Sequence, residues 1–404
     1  MSNKKVGFKM DEKFKSVRGM EDILPGTTSV WQRIEGTARE VFARYNYAEM
    51  RTPMVEKTDV FSRTSGDSSD IVTKQMYTFE DKGDRSITLR PEGTAGIVRS
   101  FVENKLFGPE HPKPVKVYYM GPMFRYERPG ATHNRQFYQI GCESIGAVSP
   151  QIDAEVIKLA LDIFHGLDID DLRVELNTLG DDESRNAYRE TLVEYFAQFK
   201  DELSSDSQRR LEQNPLRILD SKDRGDQKIV ANAPKLEDSL NDRSKKYFHD
   251  LLQALDILGV DYVIDDRLVR GLDYYTDTVF EIQAKAPEFG DDYTTICAGG
   301  RYNNMVQEFG GPEMGGVGFA FGEDRLATVV QSEETEDVLD YFICTDTKGK
   351  SEDEINTIFD QALKKAEELR DQGNSVEVNF QPRSMKSQKK EAFKLNSQNT
   401  IVIE

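Results

Sequence analysis

Seven short β-rich runs, at residues 87–89, 115–120, 137–145, 172–177, 274–283, 294–298 and 317–321, set the strongest limit on what this chain can fold into. Helical periods are interspersed at 154–164 and 188–199, so the class is α+β, with an antiparallel sheet favoured over a regular βαβ array. Ahead of them, Trp31, Ile34, Ala38, Val41, Phe42 and Tyr45 recur at helical spacing and predict an amphipathic helix with one buried stripe. With 404 residues, two or three folding units are expected. Between Asp182 and Gly259 the sequence turns charged and helix-periodic, through Tyr188, Leu192, Phe196 and Phe199 and then Tyr247, Leu251 and Leu255, which reads as a helical insertion. An acidic stretch at 332–337 reads as a solvated linker. After it, a strand (339–344), a helix (352–370), a strand (375–380), a basic helix (384–395) and a last apolar run (401–403) spell a small α/β unit.

Several function classes fall away on composition. No stretch approaches about 18 consecutive apolar residues and no apolar block follows the charged N-terminus, so neither a membrane span nor a signal peptide is read and a cytoplasmic protein is expected. Cys142, Cys297 and Cys344 are few, odd in number and far apart, which suits a reducing compartment. The four histidines form no metal-ligand spacing, so no protein cluster for a metal is predicted. A net charge of −19 leaves any nucleic-acid partner to meet local basic patches.

Two nucleotide motifs are imitated and then broken. Gly349-Lys350-Ser351 resembles the end of a phosphate-binding loop, but Cys344 stands where its first glycine belongs; Gly315-Gly316-Val317-Gly318 begins a dinucleotide fingerprint that fails at Phe321. What remains are three arginines in aromatic, glycine-rich surroundings: Arg125, Arg270 and Arg325. A guanidinium among apolar neighbours needs an anion. Each one alone is most simply met by an internal carboxylate such as Glu127, Asp273 or Asp324, whereas three together point to a phosphate-bearing ligand. Along the strand at 136–145, Tyr138, Ile140 and Cys142 share one face and Gln139, Gly141 and Glu143 the other. That second face is either solvent-facing or the floor of a polar pocket.

Taken together, these segments resemble the bacterial-type histidyl-tRNA synthetases, which are class II aminoacyl-tRNA synthetases. The resemblance runs from about Val17 to the C-terminus on Arg18-Gly19-Met20-Glu21-Asp22, Arg51-Thr52-Pro53, Thr88-Leu89-Arg90-Pro91-Glu92-Gly93-Thr94, the motif 2 pieces around Arg125 and Gln139, Arg270-Gly271-Leu272-Asp273-Tyr274-Tyr275, Ala298-Gly299-Gly300-Arg301-Tyr302 and the motif 3 segment ending at Arg325. It implies an antiparallel catalytic sheet of about six strands over 1–181 and 260–332, a helical insertion at 182–259 contacting the tRNA acceptor arm, and a C-terminal α/β anticodon-binding domain at 333–404. It implies a homodimer formed through motif 1, and ATP-dependent ligation of L-histidine to tRNA(His) through histidyl-adenylate. By the same resemblance Arg125 and Arg270 flank the α-phosphate as catalytic groups, and Arg325 holds the γ-phosphate, with Mg²⁺ arriving with ATP. Glu143 and Tyr275 select the imidazole, Tyr274 and Tyr302 line that pocket, and Glu92, Gly93, Thr94 and Gln139 hold the rest of the amino acid.

Three departures from the family pattern stand out. The motif 2 loop carries Gly130 and His133 where the family usually has other residues, which bears on reading of the tRNA acceptor end. Asn303-Asn304 replaces the usual Asp-Gly, a change expected to be mild. The chain stops at Glu404 directly after a strand, so a last unit either naturally short or truncated is expected. The rival on the same scaffold is the regulatory paralogue that joins ATP phosphoribosyltransferase and charges no tRNA; the presence of Arg125, Arg270, Glu143, Tyr275 and the last unit argues for the enzyme.

Overall fold

A computed structural model describes residues 14–65, 71–130, 134–269, 274–330 and 338–404. Arg270, Asp273, His133 and the acidic stretch at 332–337 lie outside the described residues. The chain divides into two compact units, Met1–Gln331 and Ser332–Glu404.

In chain order the strands of the first unit are β1 (Ala48–Glu49), β2 (Val55–Lys57), β3 (Tyr77–Glu80), β4 (Ser86–Leu89), β5 (Val115–Phe124), β6 (Gln136–Ile145), β7 (Leu172–Thr178), β8 (Tyr262–Ile264), β9 (Thr276–Ala284), β10 (Thr294–Tyr302) and β11 (Gly316–Gly322). Its helices are α1 (Thr28–Arg44), α2 (Asp59–Ser65), α3 (Thr94–Glu103), α4 (Pro150–His165), α5 (Asp182–Ala197), α6 (Ser205–Gln213), α7 (Arg224–Val230), α8 (Asp242–Ile257), α9 (Met305–Glu308) and α10 (Glu323–Leu326). The main sheet has eight strands in the order β1-β5-β6-β11-β10-β9-β7-β8. Every pairing among the central six is antiparallel, as the sequence predicts. The two edge strands, β1 and β8, pair in parallel and extend the predicted six to eight. A second sheet, β2-β4-β3, lies within the same unit.

Period-two sequence decides what each face of the main sheet meets. Ile140 and Cys142 of β6, Phe280 and Ile282 of β9 and Phe319 and Phe321 of β11 share a core with α1, α4 and α8. Helix α1 contributes Ile34, Ala38, Val41 and Phe42, the predicted stripe, and Phe42 stacks on Tyr118 of β5 with centroids 4.5 Å apart. Full burial of such a phenylalanine stabilises by about 1.5–3 kcal/mol. Helix α4 opens with Ser149 as N-cap, its hydroxyl accepting from Gln151 N, and Pro150 in the first turn, where a missing N–H costs nothing. The opposite face carries Val117, Tyr119 and Tyr302 towards α3 and the helical segment that begins with α5.

That helical segment leaves the sheet after β7 and returns on β8, and these two strands are neighbours. Its exit is stapled to β9, since Leu179 N donates to Asp277 O (2.6 Å) and Asp277 N to Gly180 O (2.8 Å). From α5, Arg185 donates to the Tyr275 carbonyl at 2.7 Å. Asn303 and Asn304, the departures noted above, donate to Asp277 and Asp182 at 2.9 Å each. An aspartate at 303 would set two carboxylates face to face there.

An ion pair lies fully inside the first unit. Arg301 of β10 and Asp153 of α4 have no exposed side-chain surface. Asp153 also accepts from Tyr247 (3.0 Å) and Thr278 (2.6 Å), while Arg301 donates to Ala147 O (3.0 Å), so both members are bonded beyond each other.

In the second unit, β12 (Tyr341–Thr345) is flanked in parallel by β13 (Val376–Val378) and β14 (Asn399–Ile403). Helix α11 (Glu352–Arg370) buries Ile358, Ala362, Ala366 and Leu369. The look-alike at Gly349-Lys350-Ser351 resolves as its start, because Ser351 and Glu354 form a reciprocal capping box. Helix α12 (Met385–Lys394) exposes Lys386, Lys389, Lys390 and Lys394 and turns Gln388 inward, where its amide exchanges hydrogen bonds with the Thr345 backbone at 2.8 Å.

Candidate active site

A cleft of about 360 Å³ opens on the face of the main sheet opposite α1. Its lining draws on α3 and the turn before it, β5, β6, β10, β11 and α10, and includes Glu92, Thr94, Arg125, Gln139, Glu143, Tyr274, Tyr275, Tyr302 and Arg325. The polar side of β6 is thus cleft floor, with Ile140 and Cys142 pointing the other way into the core.

Glu143 is the best-defined group in it. At 1% exposure its carboxyl accepts from Thr94 Oγ1 (2.7 Å) on one oxygen and from Tyr302 OH (2.8 Å) on the other. Burial pushes Glu143 up to about 8, against the two hydroxyl donors, and the neighbouring Glu92 adds to the rise. Tyr302, placed by resemblance as a pocket lining, is therefore a direct partner of Glu143 in the structure. Tyr274 packs between Tyr275 (4.5 Å) and Tyr302 (6.0 Å), making an aromatic wall beside the carboxyl. Glu92 faces the start of α3, accepting from Thr94 N (2.7 Å) and Ala95 N (2.9 Å), which are donors a helix N-terminus leaves open. Gln139 leaves its side-chain oxygen buried without a protein partner, an acceptor available to a ligand donor.

A carboxyl near pH 8 in the folded chain and near 4.5 when unfolded keeps its proton in the folded state across that interval, so folding loses stability as pH rises from about 4.5 to 8. Glu143→Gln cannot release a proton. Its stability relative to the parent is expected to rise with pH through that window, by at most about 1.4 kcal/mol per unit, and to level off above it. Urea midpoints of both proteins at pH 5, 6.5 and 8 check this, and a constant difference would place the Glu143 carboxyl in the ordinary range.

Arg125 and Arg325 line the same cleft. Arg125 donates from Nε to Pro91 O (2.8 Å) and lies 5.1 Å from the Phe137 ring centre. Arg325 donates to the Thr295 carbonyl, and burial alone draws its guanidinium down. Among the described residues no carboxylate pairs with Arg325, and its neighbour Asp324 is taken up instead by Tyr138 N at 2.7 Å. Among the described residues the internal-pair alternative therefore finds no partner for Arg325.

Gly93 differs from its assigned place. It is not among the residues lining the cleft, and a Cβ there would stand 2.2 Å from the Tyr119 ring, so that ring leaves no room for a side chain at the turn. Motif reading also passed over Gly318 of β11. A Cβ at 318 would meet Glu143 Oε2 at 2.1 Å and Cys142 O at 2.2 Å, so only glycine leaves the carboxyl its space. The signal available was the antiparallel register that sets Gly318 opposite Glu143. Tyr119, Phe137 and Asn134 complete the lining. Among the described residues, no group of three His, Cys, Asp or Glu side chains is placed to hold a metal ion, and no helix is long and apolar enough to cross a membrane.

Several known proteins are similar to this chain in sequence or in fold. Residues 19–326 match the family described as histidyl-tRNA synthetase. A histidine–tRNA ligase of Pediococcus pentosaceus is 50% identical over 97% of this chain and 91% of its own. The crystal structure of apo histidyl-tRNA synthetase from S. aureus superposes with a TM-score of 0.79 at 40% identity, covering 97% of this chain and 91% of that one. A structure described as an ATP phosphoribosyltransferase regulatory subunit/histidyl-tRNA synthetase from Bacillus halodurans C shares the fold at a TM-score of 0.67 and 21% identity, over 96% and 98% of the two chains. The family match spans the whole sheet and its cleft, and the sequence identity extends almost from end to end: the chain belongs to the histidyl-tRNA synthetase family.

Proposed function

We propose that this protein joins L-histidine to tRNA(His) in two steps, using ATP. The histidine carboxylate attacks the α-phosphorus of ATP, expelling pyrophosphate and leaving histidyl-adenylate. The 3′-terminal ribose hydroxyl of the tRNA then attacks the acyl carbon and expels AMP. The observation that carries this reading is the meeting in one cleft of a buried carboxyl, Glu143, with the guanidinium groups of Arg125 and Arg325, contributed by segments far apart in sequence.

In this reading Glu143, with its two hydroxyl donors, accepts from an imidazole N–H, and Tyr275 attends the other ring nitrogen. An amino acid without that ring leaves buried polar groups unpaired, which is how such a pocket discriminates strongly. Glu92 and Gln139 take the substrate's amino group, and Thr94 steadies Glu143. Arg125 and Arg270 stand at the α-phosphate, where negative charge gathers in the transition state, and Arg325 holds the γ-phosphate. Mg²⁺ enters with ATP, bridging its phosphate oxygens as part of the substrate. The helical segment at 182–259 contacts the acceptor arm and the unit at 333–404 the anticodon. Two copies pair through α1 and the strand beyond Pro53, and the protein works in the cytoplasm.

Histidine-dependent ATP–pyrophosphate exchange, followed by charging of tRNA(His), tests the two steps separately. Absence of both would overturn the reading. Arg270→Ala is expected to slow adenylate formation by about a hundredfold or more, the usual cost of losing a donor to a transition-state oxyanion, with histidine Kd changing by less than about threefold. Single-turnover rates beside calorimetric titration with histidine separate the two; equal losses would remove Arg270 from the transition state.

A further inference from the structure

One carboxyl outside the histidine pocket is as deeply buried as Glu143 and has fewer partners. Glu323 opens α10, the short helix that follows β11 and carries Asp324 and Arg325. It is 1% exposed, and its Oε2 has no hydrogen-bond partner. Helix α10 packs on α1 and β6. From α1 the charged groups facing Glu323 are Glu35 and Arg39, and these already pair with each other at 2.9 Å. From β6 comes Tyr138, whose backbone N–H is held by Asp324. On its own helix Asp324 adds a second nearby carboxylate, and Arg325 reaches away to Thr295 on β10. Two anions and one engaged cation are a poor setting for a third anion, and an unpaired buried charge is costly. A neutral carboxylic acid fits there, and burial with Glu35 and Asp324 pushes Glu323 up to about 8, against Arg39.

We propose that Glu323 is a positioning residue which, as a neutral acid, clamps α10 between α1 and β6 and thereby fixes Arg325 at the triphosphate end of the cleft, and that its ionisation loosens the clamp. The assignment of that end rests on the functional reading above. Glu323 touches no substrate. Its ionised form draws towards water, which it reaches only by moving α10, and Asp324 and Arg325 move with it. ATP affinity then falls on the alkaline side while histidine affinity follows Glu143, on another strand.

The test is pyrophosphate exchange by the full chain from pH 7 to 9.5, with KM determined separately for ATP and histidine. The parent's KM for ATP is expected to rise about fivefold or more across the range. Glu323→Gln, unable to ionise, is expected to hold KM for ATP within about twofold throughout while leaving the histidine profile as it was. Glu323→Asp, which keeps the titrating group, is expected to restore the rise. A Glu323→Gln profile parallel to the parent's, or one raised equally at every pH, would overturn the proposal. Should the glutamine variant fold poorly, Glu323→Leu with thermal melts at pH 7 and 9 serves: the parent's loss of Tm between the two must shrink, and an undiminished loss overturns the clamp. A parent without exchange at any pH fails the functional reading instead, and direct ATP titration of the same proteins then decides on Glu323.

Discussion

Glu143→Gln is expected to lower kcat/KM for histidine by about a thousandfold while KM for ATP stays within about threefold. Both Glu143 oxygens already accept, from Thr94 and Tyr302, and each retains a lone pair for an incoming N–H. An entering imidazole N–H favours the ionised carboxyl, a form a glutamine cannot take, and the glutamine NH₂ forces one of the two hydroxyls to reverse its own hydrogen bond. Losing the charge-assisted bond to the ligand and disturbing the buried hydroxyl network each cost a few kcal/mol, which together reach three decades in rate. Exchange assays at varied histidine and at varied ATP separate the two effects. Parental histidine kinetics in the variant would remove Glu143 from recognition and the functional reading with it.

Arg301→Met is expected to destabilise the first unit by about 3–5 kcal/mol, enough to leave it largely unfolded at 37 °C if its stability is ordinary. The side chain lost is neutralising Asp153 with no water in reach, and Tyr247 and Thr278 alone then face an uncompensated carboxylate. The companion experiment removes both charges. Arg301→Met combined with Asp153→Leu is expected to recover most of the loss, because it is the orphaned charge that costs, more than the missing attraction. Urea midpoints of the three proteins decide it. A loss below about 1 kcal/mol in the single variant would overturn the claim that the pair offsets a costly buried charge.

Legibility in the sequence followed the length and regularity of each element. The six central strands run seven to ten residues, and the β6 pattern even tells which side faces the cleft: Gln139 and Glu143 line it and Ile140 and Cys142 do not. Strands β1 and β8 hold two and three residues, too few for a period, so the parallel edges were invisible, and of the small β2-β4-β3 sheet only the run at 87–89 was legible. Pairings that depend on distant contacts were equally hidden. Nothing near Arg301 announces Asp153, 148 positions away, and nothing near Glu143 announces that Tyr302 rather than a tyrosine of the 274–275 pair would hold its second oxygen. The need for glycine at position 93, where a Cβ would meet the Tyr119 ring 26 positions on, is equally absent from the local sequence.

The double staple between the end of β7 and the start of β9, with Arg185 gripping the Tyr275 carbonyl, makes the helical arm and the aromatic wall of the pocket a single lever. Whatever pulls on α5 pulls on Tyr275, and a filled pocket that stiffens Tyr275 stiffens α5 in turn. Since such coupling must be reciprocal, any molecule that favours one position of α5 would change affinity in the pocket by the same factor as a filled pocket changes its own.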